Sequence, residues 1–456
     1  MKAELISINP ASGQEINRYP THTNEEISLL VDQAQATFQT WRKTSIETRI
    51  QFLDQLANLL QSKQEQAIIM THEMGKPITS ARAEWSKCAT LCSYYAKHLK
   101  TFLTDECIAE ENGKTITLSY QPLGPLLGIM PWNFPFWQVI RFAVPAIAAG
   151  NTVLLKHASN VSGSALLLEQ LMLQAGLPKG VYQAILAKSD QMPNVIEHPC
   201  IQGVSLTGST QAGAAVASLA GASIKPSLLE LGGNDAYVIL KDANLELAVR
   251  EGLDSRMKNA GQSCIGAKRF IVEAPVYDAF VDLLNERMRM IDFGDPLDPT
   301  TVMGPLVSIK ERDRIHQSVC QAIEQGATLL CGGQIPATAG AFYPPTLLTI
   351  ADRNNIAFTE ELFGPVCTVI RAKNKTEAID MANDSNFGLG AALFTENVEL
   401  GHQIIREELE AGAVFMNEFV KSDPRIAFGG IKQSGYGREM GKEGIHAFVN
   451  KKYLKY

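Results

Sequence analysis

Short apolar segments alternate with helical segments from residue 123 onward, and this alternation leaves few fold classes open. Strands are predicted at Leu126–Met130, Thr152–Leu155, Gln183–Leu186, Gly203–Leu206 and Ala236–Leu240. The intervening segments Val161–Gln174 and Gln211–Ala220 have helical patterns. Alternating strands and helices build parallel sheets covered by helices, and ligands bind at the carboxyl ends of the strands. We therefore expect an α/β protein.

The second half of the chain repeats this pattern without a detectable sequence repeat. Its predicted elements are strands Phe270–Val272, Val366–Ile370, Ala391–Phe394 and Val414–Met416 and a helix over Val276–Met290. A chain of 456 residues is long for a single domain. We predict two α/β domains with the active-site cleft between them.

The remaining segments predict an N-terminal helical region and two exposed strands. Thr23–Glu26 has the pattern of a capping box, and helical apolar spacing follows it, recurs from Ile50 to Leu60 and continues over Ile78–Leu99. Thr115–Tyr120 and Lys451–Tyr456 alternate like strands. Taken alone, these two could be ordinary edge strands protected by lysines.

Composition and charge disfavour some classes of binding partner and indicate a cellular compartment. An apolar content of 45% and a charged content of 20% are typical of globular proteins. The net charge of -7 disfavours nucleic acid or an anionic membrane as a partner. The N-terminus lacks a signal-peptide pattern, and no run approaches the ~20 apolar residues of a membrane span. The eight cysteines show no metal-binding spacing, so we expect no metal, free thiols and a cytoplasmic location.

Cys264 is the candidate nucleophile. It lies among small and polar residues in Asn259–Arg269, which favours presentation to a cleft. Taken alone, a cysteine is by default a packed small hydrophobic residue. Asn133, Glu230 and Glu361 add an amide and two carboxylates, each beside glycine or proline, where turns commonly display functional side chains.

Seven segments spread along nearly the whole chain resemble the aldehyde dehydrogenase superfamily, in the order of that family. They are Pro131–Pro135, Lys156–Ser159, Leu206–Gly213, Glu230–Gly233, Gly261–Cys264, Glu360–Pro365 and Phe428–Gly435. Ser422–Arg425 is most similar to the bacterial Sad-type branch of succinate-semialdehyde dehydrogenases.

The resemblance implies a fold with three parts. Residues 1–105 and 125–230 would form a Rossmann-like dinucleotide-binding domain, and residues 231–435 a catalytic domain. Residues 106–124 and 436–456 would form a small β oligomerisation arm, through which the chain assembles into a homodimer or homotetramer.

The resemblance also implies a reaction. The Cys264 thiolate attacks an aldehyde, and the Asn133 amide and the Cys264 N–H stabilise the oxyanion. Loss of a hydride to the nicotinamide leaves a thioester, and Glu230 activates the water that hydrolyses it. Relatives that pass the acyl group to coenzyme A generally lack this acid, so a free carboxylic acid is the expected product.

The expected cofactor is NAD or NADP, bound without a covalent link. The residues assigned to it are Trp132, Lys156, Ser159, Gly208, Ser209, Leu231, Glu361 and Phe363. A strand followed by Gly208–Gly213 and a helix could hold a phosphate, although the pattern also fits a plain helix start. Many relatives carry a glutamate that excludes NADP where this chain has Ser159.

The expected substrate is a small aldehyde, specifically succinate semialdehyde. The residues assigned to it are Arg141, Lys258, Trp137 and Ser422. A guanidinium pairs well with a carboxylate, but Arg141 could instead pair with a buried acid, and an inward-facing Asp423 would repel the substrate.

Two other functions stay open. Phe136 and Trp137 could line an apolar tunnel, which would suit a broad-specificity enzyme for aliphatic and aromatic aldehydes. A non-catalytic dinucleotide-binding protein is the second alternative, but the presence of Cys264 and Glu230 disfavours it.

Overall fold

The computed structural model describes residues 3–456. The chain begins with a β-hairpin and four helices: β1 (Glu4–Ile8), β2 (Glu15–Pro20), α1 (Asn24–Trp41), α2 (Ile46–Ser62), α3 (Ile68–Met74) and α4 (Ile78–Leu103). The predicted capping box is present, because the Thr23 hydroxyl accepts from the Glu26 N–H and the Glu26 carboxylate accepts from the Thr23 N–H. Such a cap stabilises a helix start by about 1 kcal/mol.

The next section carries the arm and the first parallel sheet. Its elements are β3 (Glu106–Glu111), β4 (Lys114–Pro122), β5 (Pro125–Met130), α5 (Trp137–Ala148), β6 (Thr152–His157), α6 (Ser162–Gln174), β7 (Tyr182–Ala184), α7 (Met192–Glu197), β8 (Gly203–Thr207), α8 (Thr210–Ala222) and β9 (Ser227–Glu230).

The second sheet and the C-terminal segment follow. Their elements are β10 (Ala236–Ile239), α9 (Leu245–Met257), β11 (Arg269–Glu273), α10 (Tyr277–Arg289), α11 (Ile309–Glu324), β12 (Thr328–Cys331), β13 (Thr346–Ile350), α12 (Ile356–Thr359), β14 (Val366–Ala372), α13 (Lys375–Asn383), β15 (Phe387–Gly388), β16 (Gly390–Phe394), α14 (Val398–Glu407), β17 (Ala413–Met416), β18 (Ile431–Lys432), β19 (Gly435–Tyr436), α15 (Gly441–His446) and β20 (Val449–Lys455).

Two mainly parallel sheets organise the molecule, which confirms the α/β expectation. The first has the order β19-β9-β8-β5-β6-β7, and the second β12-β13-β14-β11-β10-β16-β17. Only the edge strands β19 and β12 run antiparallel to their neighbours. In the first sheet the chain extends outward from β5 to β7 and then returns to β8 on the other side of β5. Such a reversal opens a ligand crevice at the carboxyl ends of the strands.

A separate antiparallel sheet of order β20-β4-β3 joins the predicted arm strands. This sheet draws on residues 106–122 and 449–455 only. Tyr436 pairs with Leu229 in the first sheet, and α15 packs against α5. The division of the chain into domains stays a prediction. We use the name arm for the sheet formed by β20, β4 and β3.

The helix faces predicted from the spacing of apolar residues are buried in the interior. Cys88 and Cys92, one turn apart on α4, are fully buried in a core shared with Trp85 and Phe136. Phe136 packs on Trp85 with ring centroids 4.8 Å apart, so it belongs to the core rather than to a tunnel. Along the described chain, residues 3–456, no helix combines the length and apolar character that a membrane crossing requires.

Candidate active site

Cys264 lies on a tightly wound loop between α9 and β11. Three consecutive residues before it, Asn259, Ala260 and Gly261, have positive φ angles of 55°, 53° and 75°. Non-glycine residues rarely adopt this region, so the surrounding contacts must hold the loop in place. The Lys268 ammonium does so by donating to the carbonyls of Ser263 and Cys264 at 3.0 and 2.5 Å.

Glu230 and its following glycines approach this loop closely. A Cβ on Gly233 would lie 2.6 Å from the Cys264 carbonyl oxygen, and one on Gly232 would lie 2.4 Å from a carboxylate oxygen of Glu361. Any side chain at these positions would displace the nucleophile loop or Glu361. The close approach suggested by the sequence is therefore the reason for this glycine pair.

The Cys264 thiol is partly exposed but strongly desolvated. Burial raises its pKa to about 12, and the nearby Lys268 and Arg141 cations oppose this rise. The sequence context favoured a readily formed thiolate, whereas the thiol retains its proton at neutral pH. A base must take that proton before the sulfur can attack.

Asn133 is held against the nucleophile loop. Its amide Nδ2 donates to the Gln262 carbonyl at 3.2 Å, and its Oδ1 accepts from the Phe134 N–H at 3.2 Å. The Asn133 carbonyl accepts from Lys76 Nζ and Asn259 Nδ2, both at 2.9 Å. These contacts fix the amide orientation and leave its second N–H for another acceptor.

Glu230 ends β9 as a buried acid. Its Oε1 has no hydrogen-bond partner among residues 3–456. Burial raises its pKa well above the usual range, and the Arg141 charge opposes that rise. Once ionised, a buried carboxyl with a raised pKa is a stronger base than an exposed glutamate.

Arg141 forms a buried ion pair with Glu439. Its guanidinium also lies 4.8 Å from the centre of the Phe428 ring and borders the cavity at Cys264. The alternative considered for Arg141, pairing with a buried acid, is thus the arrangement observed. Its proposed role toward a substrate carboxylate stays a prediction.

A cavity of about 520 Å³ opens at Cys264. Its lining brings together Cys264 and the four residues assigned to the substrate, Arg141, Lys258, Trp137 and Ser422. Phe134, Phe419 and Phe428 supply apolar walls. Lys76, Glu84, Lys87 and Lys421 also line it and were not among the residues predicted from sequence. Glu84 and Lys87 lie on the amphipathic helix α4, whose spacing distinguishes only core from surface positions.

The cavity lining contains more cations than anions. Lys76 is paired with Glu84. Within residues 3–456, neither Lys87 nor Lys258 has a carboxylate within ion-pair distance. Burial lowers the pKa of both lysines, that of Lys87 to about 7. Unpaired, partly desolvated ammonium groups in a cavity suit an anionic ligand.

The residues assigned to the cofactor line up along the carboxyl edge of the first sheet. Trp132 follows β5, Lys156 lies at the end of β6, Gly208 and Ser209 follow β8, and Leu231 follows β9. Because β6, β5, β8 and β9 are neighbours, these positions are adjacent in space. This is the edge at which the chain reversal opens a crevice.

The polar groups at this edge leave room for an anion. Among residues 3–456, Lys156 Nζ has a single polar contact, to Ser189 Oγ at 3.4 Å. Ser209 caps α8 by accepting from the Ala212 N–H at 3.3 Å. A Cβ on Gly208 would meet only Leu206, at 3.5 Å. The open loop, the helix N-terminus and the lysine together fit a pyrophosphate.

Ser159 and His157 differ in their surroundings. Ser159 is partly exposed and uncharged, and its carbonyl accepts from the Ser162 hydroxyl. His157 is buried, and burial lowers its pKa to about 4. Its Nδ1 accepts from the Ala158 N–H, so Nε2 donates to the Pro135 carbonyl at 2.9 Å. This neutral imidazole joins the end of β6 to the loop that carries Asn133.

Glu361 and Phe363 approach the same region from the second half of the chain. Glu361 accepts from the Gly233 N–H and from Lys268 Nζ, both at 3.2 Å. Phe363 contacts Trp132 edge to face, with ring centroids 5.8 Å apart. The assigned cofactor residues from the two halves therefore meet, while their individual roles stay predictions. Residues 3–456 contain no cluster of three His, Cys, Asp or Glu side chains that could hold a metal ion.

Two mainly parallel α/β sheets, an open strand edge and a cysteine that lines a cavity are typical of a dinucleotide-binding enzyme with a cysteine nucleophile. Asn133 and Glu230 do not line that cavity; Asn133 contacts the loop before Cys264, and Glu230 is buried at the end of β9. The chain belongs to the aldehyde dehydrogenase family, whose model matches residues 2–454.

Similar proteins cover almost the whole chain. It is 44% identical over 446 residues to "Succinate semialdehyde dehydrogenase [NAD(P)+] Sad" of Escherichia coli strain K12, covering 98% of this chain and 96% of that protein. It is 45% identical to a probable NADP-dependent succinate-semialdehyde dehydrogenase of Synechocystis, covering 98% of each. A solved structure of succinic semialdehyde dehydrogenase from Streptococcus pyogenes with NADP+ has a TM-score of 0.96 at 36% identity and covers 99% of both chains. The chain is thus an aldehyde dehydrogenase that uses a nicotinamide dinucleotide.

Proposed function

We propose that this enzyme oxidises succinate semialdehyde to succinate. The observation that carries the proposal is the pair of cavity lysines, Lys87 and Lys258, which have no carboxylate partner among residues 3–456. An aldehyde with a carboxylate at its far end would supply the missing anion while presenting its carbonyl to Cys264. The relatives named as succinate-semialdehyde dehydrogenases support the same substrate.

The chemistry assigned to this chain's residues follows from their surroundings. Cys264 gives up its proton to water, and the thiolate sulfur bonds to the aldehyde carbon, giving a thiohemiacetal oxyanion. The free N–H of the Asn133 amide and the Cys264 N–H stabilise the oxyanion; one such donor contributes about 3 kcal/mol to the transition state. When bound, NAD(P)+ supplies the hydride acceptor. Glu230 removes a proton from the water that hydrolyses the resulting thioester and frees Cys264.

The cofactor-binding edge fits both NAD and NADP. Lys156, the start of α8 and the open backbone at Gly208 provide a cation and N–H groups for phosphate oxygens. Ser159 carries no negative charge that would repel a 2′-phosphate. We infer that NADP is accepted along with NAD, that the cofactor binds without a covalent link, and that no metal takes part.

We further infer that the enzyme acts as a homodimer or homotetramer in the cytoplasm. The arm exposes apolar residues on its strands, including Ile108 and Tyr453. Pairing of arms would cover them. The eight cysteines are free thiols, which supports a reducing compartment.

The test compares kcat/KM for succinate semialdehyde with that for butanal, an uncharged aldehyde of similar length, using NAD+ and NADP+ in turn. A preference of roughly 100-fold for the acid, about 2.7 kcal/mol, is expected of a desolvated charge pair, with succinate as the product. Near-equal values would contradict the proposal and indicate a broad-specificity aldehyde dehydrogenase, which the phenylalanine walls of the cavity would suit.

A further inference from the structure

We propose that Lys87 determines substrate specificity by holding the carboxylate at the far end of the aldehyde together with the hydroxyl of Ser422. The inference rests on the proposed function and adds a residue from α4, outside the motifs that carry the family resemblance. The sequence assigned the substrate carboxylate to Arg141 and Lys258. The present inference assigns it to the ammonium group of Lys87.

Two contacts orient the Lys87 ammonium within the cavity. Its Nζ donates to Ser422 Oγ at 2.6 Å and lies 4.0 Å from the centre of the Trp137 ring. Because the Ser422 oxygen accepts from Lys87, its own O–H is free to donate elsewhere. The remaining ammonium hydrogens and this hydroxyl hydrogen together provide several donors at one place, which suits a carboxylate.

The other cavity cations are less available. Arg141 pairs with Glu439, Lys76 pairs with Glu84, and Lys421 pairs with Glu418. Lys258 has no carboxylate partner among residues 3–456, and its ammonium lies 6.0 Å from the centre of the Phe419 ring without a hydrogen bond to orient it. Lys87 is therefore the cation that is both unpaired and already oriented.

Asp423 does not compete for Lys87. Its two carboxylate oxygens accept from the Arg425 guanidinium at 2.9 and 2.7 Å, and this pairing lowers its pKa to about 2. Asp423 is absent from the cavity lining. The repulsion expected from an inward-facing carboxylate therefore does not arise.

The charge of Lys87 depends on its neighbours on every side. The groups that act on it are Lys258 at the end of α9, Arg141 on α5, Asp423 in the loop after β17, and Cys88 and Glu84 on its own helix α4. Burial and the two cations lower its pKa to about 7 and outweigh the three acidic groups. Lys87 is thus protonated below pH 7 and progressively neutral above it, so its grip on a carboxylate weakens as pH rises.

The experiment measures the ratio of kcat/KM for succinate semialdehyde to that for butanal in four proteins: the unchanged enzyme, Lys87→Met, Lys87→Arg and Lys97→Met. Lys97 is an exposed lysine on the same helix, and its variant should retain the ratio of the unchanged enzyme. Lys87→Met should lower the ratio by roughly 10-fold or more, mainly through KM for the acid. Turnover of butanal reports whether each variant is folded.

A pH series then separates this role from a structural one. In the unchanged enzyme the ratio should fall as pH rises through 7. In Lys87→Arg it should stay high, because a guanidinium remains charged. The ratio cancels the titration of Cys264, which acts on both aldehydes.

Two results would overturn the inference in distinguishable ways. If the unchanged enzyme prefers succinate semialdehyde and Lys87→Met keeps that preference, Lys87 is not the anchor although the proposed function stands. If the unchanged enzyme has no such preference, the proposed function and the inference fail together.

Discussion

Lys268 acts on both halves of the cleft through one ammonium group. It donates to the carbonyls of Ser263 and Cys264 and pairs with Glu361 at 3.2 Å. It therefore connects the nucleophile loop to the acid expected at the cofactor. The sequence segment Asn259–Arg269 contained Lys268, but nothing in its pattern distinguished this residue from a solvated surface lysine.

At the residue scale, the ion pair of Arg141 and Glu439 predicts a stability effect. In Arg141→Leu a buried carboxylate loses its partner, so the free energy of unfolding should fall by about 3 kcal/mol, as is typical when one member of a buried pair is removed. Urea unfolding would measure the change.

A matched control is Arg287→Leu, which removes an exposed pair with Glu246. Exposed pairs contribute little, so its stability should change by less than about 1 kcal/mol. If the two variants unfolded at the same urea concentration, the buried pair would contribute no more to stability than the exposed pair.

At the element scale, the turn after β9 packs directly against the loop that carries Cys264. Gly233→Ala should disable the enzyme, because the added methyl group would lie 2.6 Å from the Cys264 carbonyl oxygen, which cannot move without moving the nucleophile. Steady-state oxidation of butanal measures the loss.

Gly221→Ala is its control. Gly221 lies within α8, and a Cβ there would meet nothing within 4 Å. Replacing a helical glycine with alanine should raise stability by about 0.5–1 kcal/mol and leave activity intact. Full activity in Gly233→Ala would show that the loop tolerates displacement.

The elements themselves were largely predictable from sequence. Strand and helix periodicity located β5, β6, β8 and β10 and the long helices to within a few residues, because buried strands and amphipathic helices carry strong patterns. The predicted strand Gln183–Leu186 instead spans Tyr182–Ala184, and the helix predicted to end at Leu99 continues to Leu103. Such ends depend on tertiary contacts, which periodicity does not encode.

The site was predictable only where motifs marked it. Cys264, Arg141, Lys258 and Ser422 do meet at one cavity. The pairing of Arg141 with Glu439, more than 200 residues away in sequence, could not be read from spacing. Lys87 lies in a helix whose pattern indicates only core and surface, so its place in the cavity required the packing of α4 against α5.

At the scale of the whole molecule, the arm predicts the assembly state. Ile108 on β3 of the arm is 61% exposed, and pairing of arms in the proposed oligomer would cover it. Ile108→Asp should shift the proposed oligomer toward smaller species in sedimentation. Leu29→Asp, at a 67% exposed site on α1, should not. An unchanged sedimentation profile for Ile108→Asp would contradict assembly through this face of the arm.

In the proposed mechanism, Cys264 carries the substrate as an acyl group that Glu230 then releases. Glu230→Gln removes the base, so incubation with succinate semialdehyde and NADP+ should produce a protein with the added mass of one succinyl group. Intact-mass spectrometry with peptide mapping should locate that mass on Cys264, and Cys264→Ala should not acquire it. A Glu230→Gln protein that turns over as fast as the unchanged enzyme, or a succinyl group on another cysteine, would contradict this mechanism.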